Sequence, residues 1–266
     1  MQNLSHVRPK KSLGQHFLKD AKIAQKIVHI LDASPLSQAV VEIGPGTGAL
    51  TKWLINHTTQ PIYLIETDEV LVAKLRKDYP QLGNHIIQAD FLKFPLANIT
   101  KGPISIISNF PYNISSQILF KIWHQRHQVQ EVVGMLQKEV AERICAQPGN
   151  KTYGLMSVLL QTFYHINYCF TVDASVFNPP PKVTSAVVQL KRNQLVELPC
   201  EEGFFLTLVK TVFGKRRKML RNTLSQLVSS LEAVPQAMLT QRPEELHCQD
   251  FIALAHTLAS YKKSGT

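Results

Sequence analysis

Short apolar runs alternate with stretches of helical period along most of the chain. Ile23, Ile27, Val28 and Leu31 recur at helical spacing, which predicts an amphipathic helix over residues 19–33. AVVEIG at 39–44 reads as a strand and 47–57 as a helix; PIYLIETD at 61–68 and EVLVAKLRKDY at 69–79 repeat that order. HIIQAD at 85–90 and ISIISN at 104–109 are further strands, and a helix is expected from Ser115 to about Gln125. EVVGMLQ at 131–137 reads as a fifth strand, and LMSVLLQTFYHI at 155–166 as a helix running into another. KVTSAVVQLK at 182–191 alternates and is expected to close the set as an antiparallel edge. Strand runs rich in Val, Ile and Leu, separated by helices, indicate an α/β fold whose mostly parallel sheet is covered on both faces. Beyond LVELPCEEG at 195–203 only helical patterns remain. The expected division is a sheet domain over 1–198 and a small all-helical domain over 199–266.

Composition adds a partner class. The 266 residues are 44% hydrophobic and 18% charged, enough for a sizeable core. Lys and Arg number 29 against 19 acids, a formal charge of +10, which points to a polyanion: nucleic acid or an anionic membrane. The opening MQNLSHVRPKK has no apolar signal-like core, and no run approaches the ~18 apolar residues of a membrane span. Cys145, Cys169, Cys200 and Cys248 show no CxxC pair and no metal-ligand spacing. They read as reduced thiols of a cytoplasmic protein with no metal. Nucleic acid therefore outranks membrane. No heptad seam marks a dimer, so a monomer is expected.

VEIGPGTGALT at 41–51 sets Gly44, Gly46 and Gly48 between a buried strand and a helix, where the backbone turns sharply and approaches a ligand closely. Glu66 follows at the end of the next strand, placed to accept ribose hydroxyls. This pairing marks a nucleoside cofactor without identifying it; Gly44-x-Gly46-x-x-Ala49 also satisfies the relaxed dinucleotide fingerprint, so NAD stays open at this point. Two features tilt the choice towards S-adenosyl-L-methionine. Asp90 ends the third strand, where its carboxylate can take a hydrogen bond from an adenine amine or simply cap the next turn. NFPYNIS at 109–115 ends the fourth, so four loops surround one crevice at the carboxyl ends of the strands.

A turn is the plain reading of NFPY. It has a chemical one if the crevice holds a sulfonium methyl donor and an adenine is the acceptor. The N6 amine of adenine is a poor nucleophile because its lone pair is delocalised into the ring. The Asn109 side-chain oxygen and the Phe110 carbonyl can each accept one N6 hydrogen bond, directing the lone pair at a methyl donor. Pro111 fixes the backbone, and Tyr112 offers a ring on which the base can stack. No strong general base is needed; positioning and electrostatic preorganisation carry the reaction. Phe177, in VFNPPPKVTSAV, offers a second aromatic for an extruded base, or else belongs to the core.

GKRRKMLRN at 214–222 carries Lys215, Arg216, Arg217, Lys218 and Arg221, and RPKK at 8–11 is a second basic segment. Such runs are often solvated faces, but two of them fit an RNA-backbone groove. Recognition then rests on shape, phosphates and one captured base.

Assembled in order, KKSLGQHFL (10–18), EIGPGTGALT (42–51), IETD (65–68), QADFL (88–92), NFPYNIS (109–115), FNPPPKVTS (177–185) and GKRRKMLRNTL (214–224) resemble the KsgA/RsmA family of small-subunit rRNA adenine dimethyltransferases. The likeness covers essentially the whole chain. It implies a Rossmann-like class I methyltransferase sheet with a helical RNA-binding tail. It also implies transfer of two methyls from S-adenosyl-L-methionine to N6 of each of two adjacent adenosines in the 3′-terminal hairpin of 16S rRNA, during small-subunit maturation. Carried over by position, His16 and Leu18 line the cofactor site, Gly44 and Gly46 approach the methionine moiety, Glu66 meets the ribose and Asp90 the adenine. Asn109 serves cofactor and target amine, with Phe110 and Tyr112 beside it. The family usually has an aliphatic residue where Phe110 stands, and a Thr where Met219 stands. The rivals are a large-subunit rRNA adenine methyltransferase, a DNA adenine methyltransferase, a NAD oxidoreductase and a non-catalytic assembly factor. The GKRRKMLRN tail disfavours the first, the small tail the second and the lack of a hydride-transfer constellation the third. The last has no use for Asn109 and Tyr112.

Overall fold

A computed structural model describes residues 9–10, 14–32 and 36–262. In chain order the elements are β1 (Phe17–Leu18), α1 (Ala21–Ile30), β2 (Ala39–Ile43), α2 (Thr51–Leu54), β3 (Ile62–Glu66), α3 (Glu69–Asp78), β4 (Ile86–Gln88), β5 (Ile104–Asn109), α4 (Ser115–His124), β6 (Val129–Gln137) and α5 (Lys138–Cys145). There follow α6 (Leu155–Phe163), β7 (Tyr164–Val172), β8 (Phe177–Asn178), β9 (Ser185–Arg192), α7 (Glu202–Gly214), α8 (Leu220–Leu224), α9 (Gln236–Thr240) and α10 (Cys248–Leu258).

The main sheet has the order β4-β3-β2-β5-β6-β9-β7. β4, β3, β2, β5 and β6 are parallel neighbours, and β9 pairs antiparallel with β6, Met135 facing Val187. Every residue of β2, and every residue of β5 except Asn109, is buried, as strands covered on both faces require. β9 supplies the expected antiparallel strand, but β7 takes the outermost place beyond it. A second, two-stranded sheet pairs β1 with β8, Leu18 opposite Phe177. Strands of two residues leave no periodic trace, so the sequence pattern does not announce this one.

Local chemistry sets the helix starts. Asp20 caps α1 by accepting from the amides of Lys22 and Ile23, and Asp68 caps α3 by accepting from Val70. The helix expected over 47–57 is shorter, because Gly48 takes φ +84° and the Tyr79 ring lies 2.8 Å from where a Cβ would stand. The regular helix begins at Thr51, with Leu50 before it already in helical φ/ψ. α5 is an addition to the elements expected from the sequence.

The chain forms two compact units, residues 1–141 with 165–192 and residues 142–164 with 193–266. The expected division at 198/199 is corrected accordingly. Residues 142–164 join the carboxy-terminal helices because α6 packs on α7 and α10. In the first unit, Ile27, Val28, Val40, Leu54, Leu64, Val133 and Val187 share one core. In the second, Phe205, Leu208 and Phe251 are fully buried. Among the described residues, no helix is long and apolar enough to cross a membrane.

Candidate active site

A cavity of about 270 Å³ opens in the first unit at the carboxyl ends of β2, β3, β4 and β5. Each strand delivers one loop to it. After β2, Gly44 and Gly46 both adopt φ +58°, a conformation that costs a side-chain-bearing residue about 1–3 kcal/mol. The turn stays in register with the sheet through Gly44 N–H donating to Ile65 O at 2.9 Å. A Cβ on Gly46 would stand 3.2 Å from the Phe17 ring. The cradle is therefore closed on its far side by β1, and Gly14 to Leu18 form that wall.

Two carboxylates sit beneath the turn. Glu66 is 6% exposed. Its Oε2 accepts from Gly46 N–H at 3.1 Å, and its Oε1 accepts from Thr67 N–H at 2.9 Å and Asp68 N–H at 3.0 Å. Burial raises its pKa, against the pull of these amides. A carboxylate has about four acceptor positions. Three are already used, which leaves Glu66 one further acceptor position. Glu42, to which the sequence pattern assigned no role, also lines the cavity, and its Oε2 accepts from Thr51 Oγ1 at 2.7 Å. Burial pushes its pKa up to about 8, the Thr51 bond opposes that, and the charge on Glu66 adds to it. An acid inside the otherwise apolar run AVVEI is the visible signal.

After β4, Asp90 takes the capping role, one of its two readings. Its Oδ1 caps the following turn by accepting from Leu92 N–H at 2.9 Å. No described side chain bonds its Oδ2, which is left for a ligand at the cavity edge, where Asp90, Phe91 and Leu92 are lining residues.

After β5, Asn109 donates from Nδ2 to the main-chain oxygen of His16 at 3.1 Å, which turns its Oδ1 the other way. Phe110 N–H donates to Met135 O at 3.1 Å, so the motif leaves the sheet in register with β6. The Phe110 ring is buried over Gly134, where a Cβ would come within 2.9 Å of it. Pro111 and Tyr112 line the cavity. The Tyr112 hydroxyl is hydrogen-bonded to Ser185 Oγ at the start of β9, and burial raises its pKa. Its ring stacks with that of His16, centroids 5.6 Å apart and planes at 25°. His16 Nδ1 lies 2.8 Å from Pro179 O, so β1 and the FNPPP segment hold this pair of rings together.

The cavity thus collects His16, Leu18, Gly44, Gly46, Glu66, Asp90, Asn109, Phe110 and Tyr112. Phe177 is a correction. It is 1% exposed in the core, packed with Leu18 and Val172, and its contribution is the backbone pairing of β8 with β1. Glycine cradle, acid and free acceptor fit S-adenosyl-L-methionine: a cationic methionine end, a ribose diol and an adenine amine.

The basic run lies in the second unit, with Lys215 to Lys218 in the turn between α7 and α8 and Arg221 in the first turn of α8. Arg216 is also bound within its own unit. Its guanidinium donates to Asn150 O and Lys151 O and pairs with Glu244 at 3.6 Å, which ties the 150–151 loop down. Lys215 Nζ donates to Gln226 Oε1 at 2.7 Å. Arg217, Lys218 and Arg221 are exposed, and their side chains make no hydrogen bond or ion pair with a described residue. Of the amino-terminal basic segment, Arg8 and Lys11 lie outside the described residues, and Lys10 pairs with Asp68 at 2.8 Å.

Residues 7–249 match the model of the family described as ribosomal RNA adenine dimethylase. The chain is 46% identical over 262 residues to "Ribosomal RNA small subunit methyltransferase A" of Bacteroides thetaiotaomicron, covering 98% of this chain and 97% of that one. It is 47% identical over 256 residues to the protein of the same name in Cytophaga hutchinsonii, covering 96% and 99%. Among solved structures it is similar to a dimethyladenosine transferase from Plasmodium falciparum, with TM-score 0.75, 26% identity, and 93% and 99% of the two chains covered. The fold is shared with the 23S rRNA methyltransferase ErmE, with TM-score 0.70 and 22% identity over 91% and 99%. With the match running through both units, the chain belongs to the ribosomal RNA adenine dimethylase family.

Proposed function

We propose that this S-adenosyl-L-methionine-dependent enzyme dimethylates N6 of two adjacent adenosines in the 3′-terminal hairpin of 16S rRNA. It acts as a cytoplasmic monomer on the maturing small subunit. The observation that carries the reading is the convergence of Gly44, Gly46, Glu66, Asp90, Asn109 and Tyr112 on one cavity.

S-adenosyl-L-methionine supplies an electrophilic sulfonium methyl group. The chain's own residues do the rest. Gly44 and Gly46 admit the methionine end, Glu66 accepts a ribose hydroxyl and Asp90 Oδ2 accepts from the adenine amine. Asn109 Oδ1, aimed by the Nδ2 bond to His16 O, accepts one N6 hydrogen of the target base; the Phe110 carbonyl accepts the other. Held by these two acceptors, the target nitrogen would present its lone pair to the sulfonium methyl group, and the proton it sheds on methylation would leave to water. No general base is required. Tyr112 holds the base by stacking, worth about 1–3 kcal/mol. Arg217, Lys218 and Arg221 contact RNA phosphates.

The test is methyl transfer from labelled S-adenosyl-L-methionine to unmethylated small ribosomal subunits, with the rRNA digested to nucleosides. Label in N6,N6-dimethyladenosine is expected. Binding to the particle with no label transferred would instead establish an assembly factor.

A further inference from the structure

Lys121 stands on the last turn of α4, the helix that begins three residues after Tyr112. Its ammonium reaches back to the loop after β4 and donates to the main-chain oxygens of Phe91, Leu92 and Phe94. Nζ lies 4.7 Å from the centroid of the Phe91 ring. An ammonium has three N–H donors, and here each has its own carbonyl. The amides of the same loop are spent inward: Leu92 N–H on Asp90 Oδ1, and those of Lys93 and Phe94 on Asp90 O at 3.0 Å. Residues 90–94 are therefore fixed from two sides, by Asp90 through their amides and by Lys121 through their carbonyls. Removing the ammonium would strand three converging carbonyl dipoles, and the loop would have to turn them to water.

We propose that Lys121 is the positioning residue for cofactor recognition at the adenine ring, holding the loop that carries Asp90, Phe91 and Leu92 in the geometry that selects an N6 amine. The inference rests on the assignment of Asp90 to the cofactor's adenine. Because α4 also starts at the target-base motif, one helix ties the walls that receive the two adenines. Burial lowers the Lys121 pKa, and the charge on Asp90 opposes the shift.

The test measures calorimetric affinity of the full chain for S-adenosylhomocysteine and for S-inosylhomocysteine, in which a carbonyl replaces the amine. The wild type is expected to prefer the adenosyl compound. In Lys121→Met that affinity falls about tenfold while binding of the inosyl compound changes little, so the preference shrinks. Lys121→Gln, which keeps two donors, retains part of it and serves in place of the Met variant should that one melt much lower without ligand. An unchanged preference, or an equal loss for both compounds, overturns the proposal. Asp90→Ala is measured in parallel. If it keeps the preference, the adenine assignment itself fails; if it loses the preference while Lys121→Met does not, only the role of Lys121 fails.

Discussion

Glu42 and Asn109 show how single side chains in this cavity are governed by what surrounds them. The Glu42 carboxyl keeps its proton up to about pH 8 in the folded chain, whereas an exposed Glu releases it near 4.5. Between those values the folded state binds more protons than the unfolded one, so stability falls as pH rises. Glu42→Gln removes the difference. Its melting temperature should exceed that of the wild type at pH 8 and approach it at pH 5, as measured by thermal denaturation without ligand. In the proposed mechanism Asn109 acts through orientation. Asn109→Ala should lower methyl transfer by about 10²–10³-fold while leaving RNA affinity within a few-fold. A variant of undiminished turnover would dismiss the amide from the mechanism. Glu66→Ala should weaken S-adenosylhomocysteine binding, and an unchanged calorimetric affinity would refute the ribose contact.

At the scale of elements, the sheet works as a jig. Parallel register carries the glycine turn, Glu66, Asp90 and Asn109 to the same end, and each loop is then pinned by a neighbour. Gly134 in β6 illustrates the tolerance. Its missing Cβ is the space into which the Phe110 ring packs. Gly134→Ala should push that ring and the Phe110 carbonyl out of place, costing about 1–3 kcal/mol of stability as overpacking does. Turnover should fall more than cofactor affinity. Equal turnover in a stable variant would show that the carbonyl has no role.

For the whole molecule, the surplus of positive charge matters through the side chains left unpaired. Replacing Arg217, Lys218 and Arg221 by Ala should weaken RNA binding and flatten its dependence on salt concentration, by about one unit of logarithmic slope for each phosphate no longer neutralised. S-adenosylhomocysteine affinity should not change. Arg216→Ala should instead lower melting temperature, because that guanidinium holds Asn150, Lys151 and Glu244 within its own unit. An unaltered salt slope in the triple variant would move RNA binding to another surface.

The sequence alone was sufficient for the α/β class, the succession of the main strands along the chain and the loops that meet at one crevice. Those features depend on local signals: continuous apolar runs, glycines at a strand end, an acid at the next strand end, and NFPY after a third. Side-chain roles set by distant partners were not legible. The burial of Phe177 follows from β1 pairing with β8, the duty of Arg216 from a loop far along the chain, and the grip of Lys121 from a helix folding back over the loop after β4. Residues 142–164 likewise joined the carboxy-terminal helices by packing that no nearby pattern announces. A local pattern records which face is apolar and where the chain must turn. Which donor meets which acceptor across tens of residues is decided only when the chain closes on itself, because a buried polar group must be satisfied by whatever the fold brings beside it.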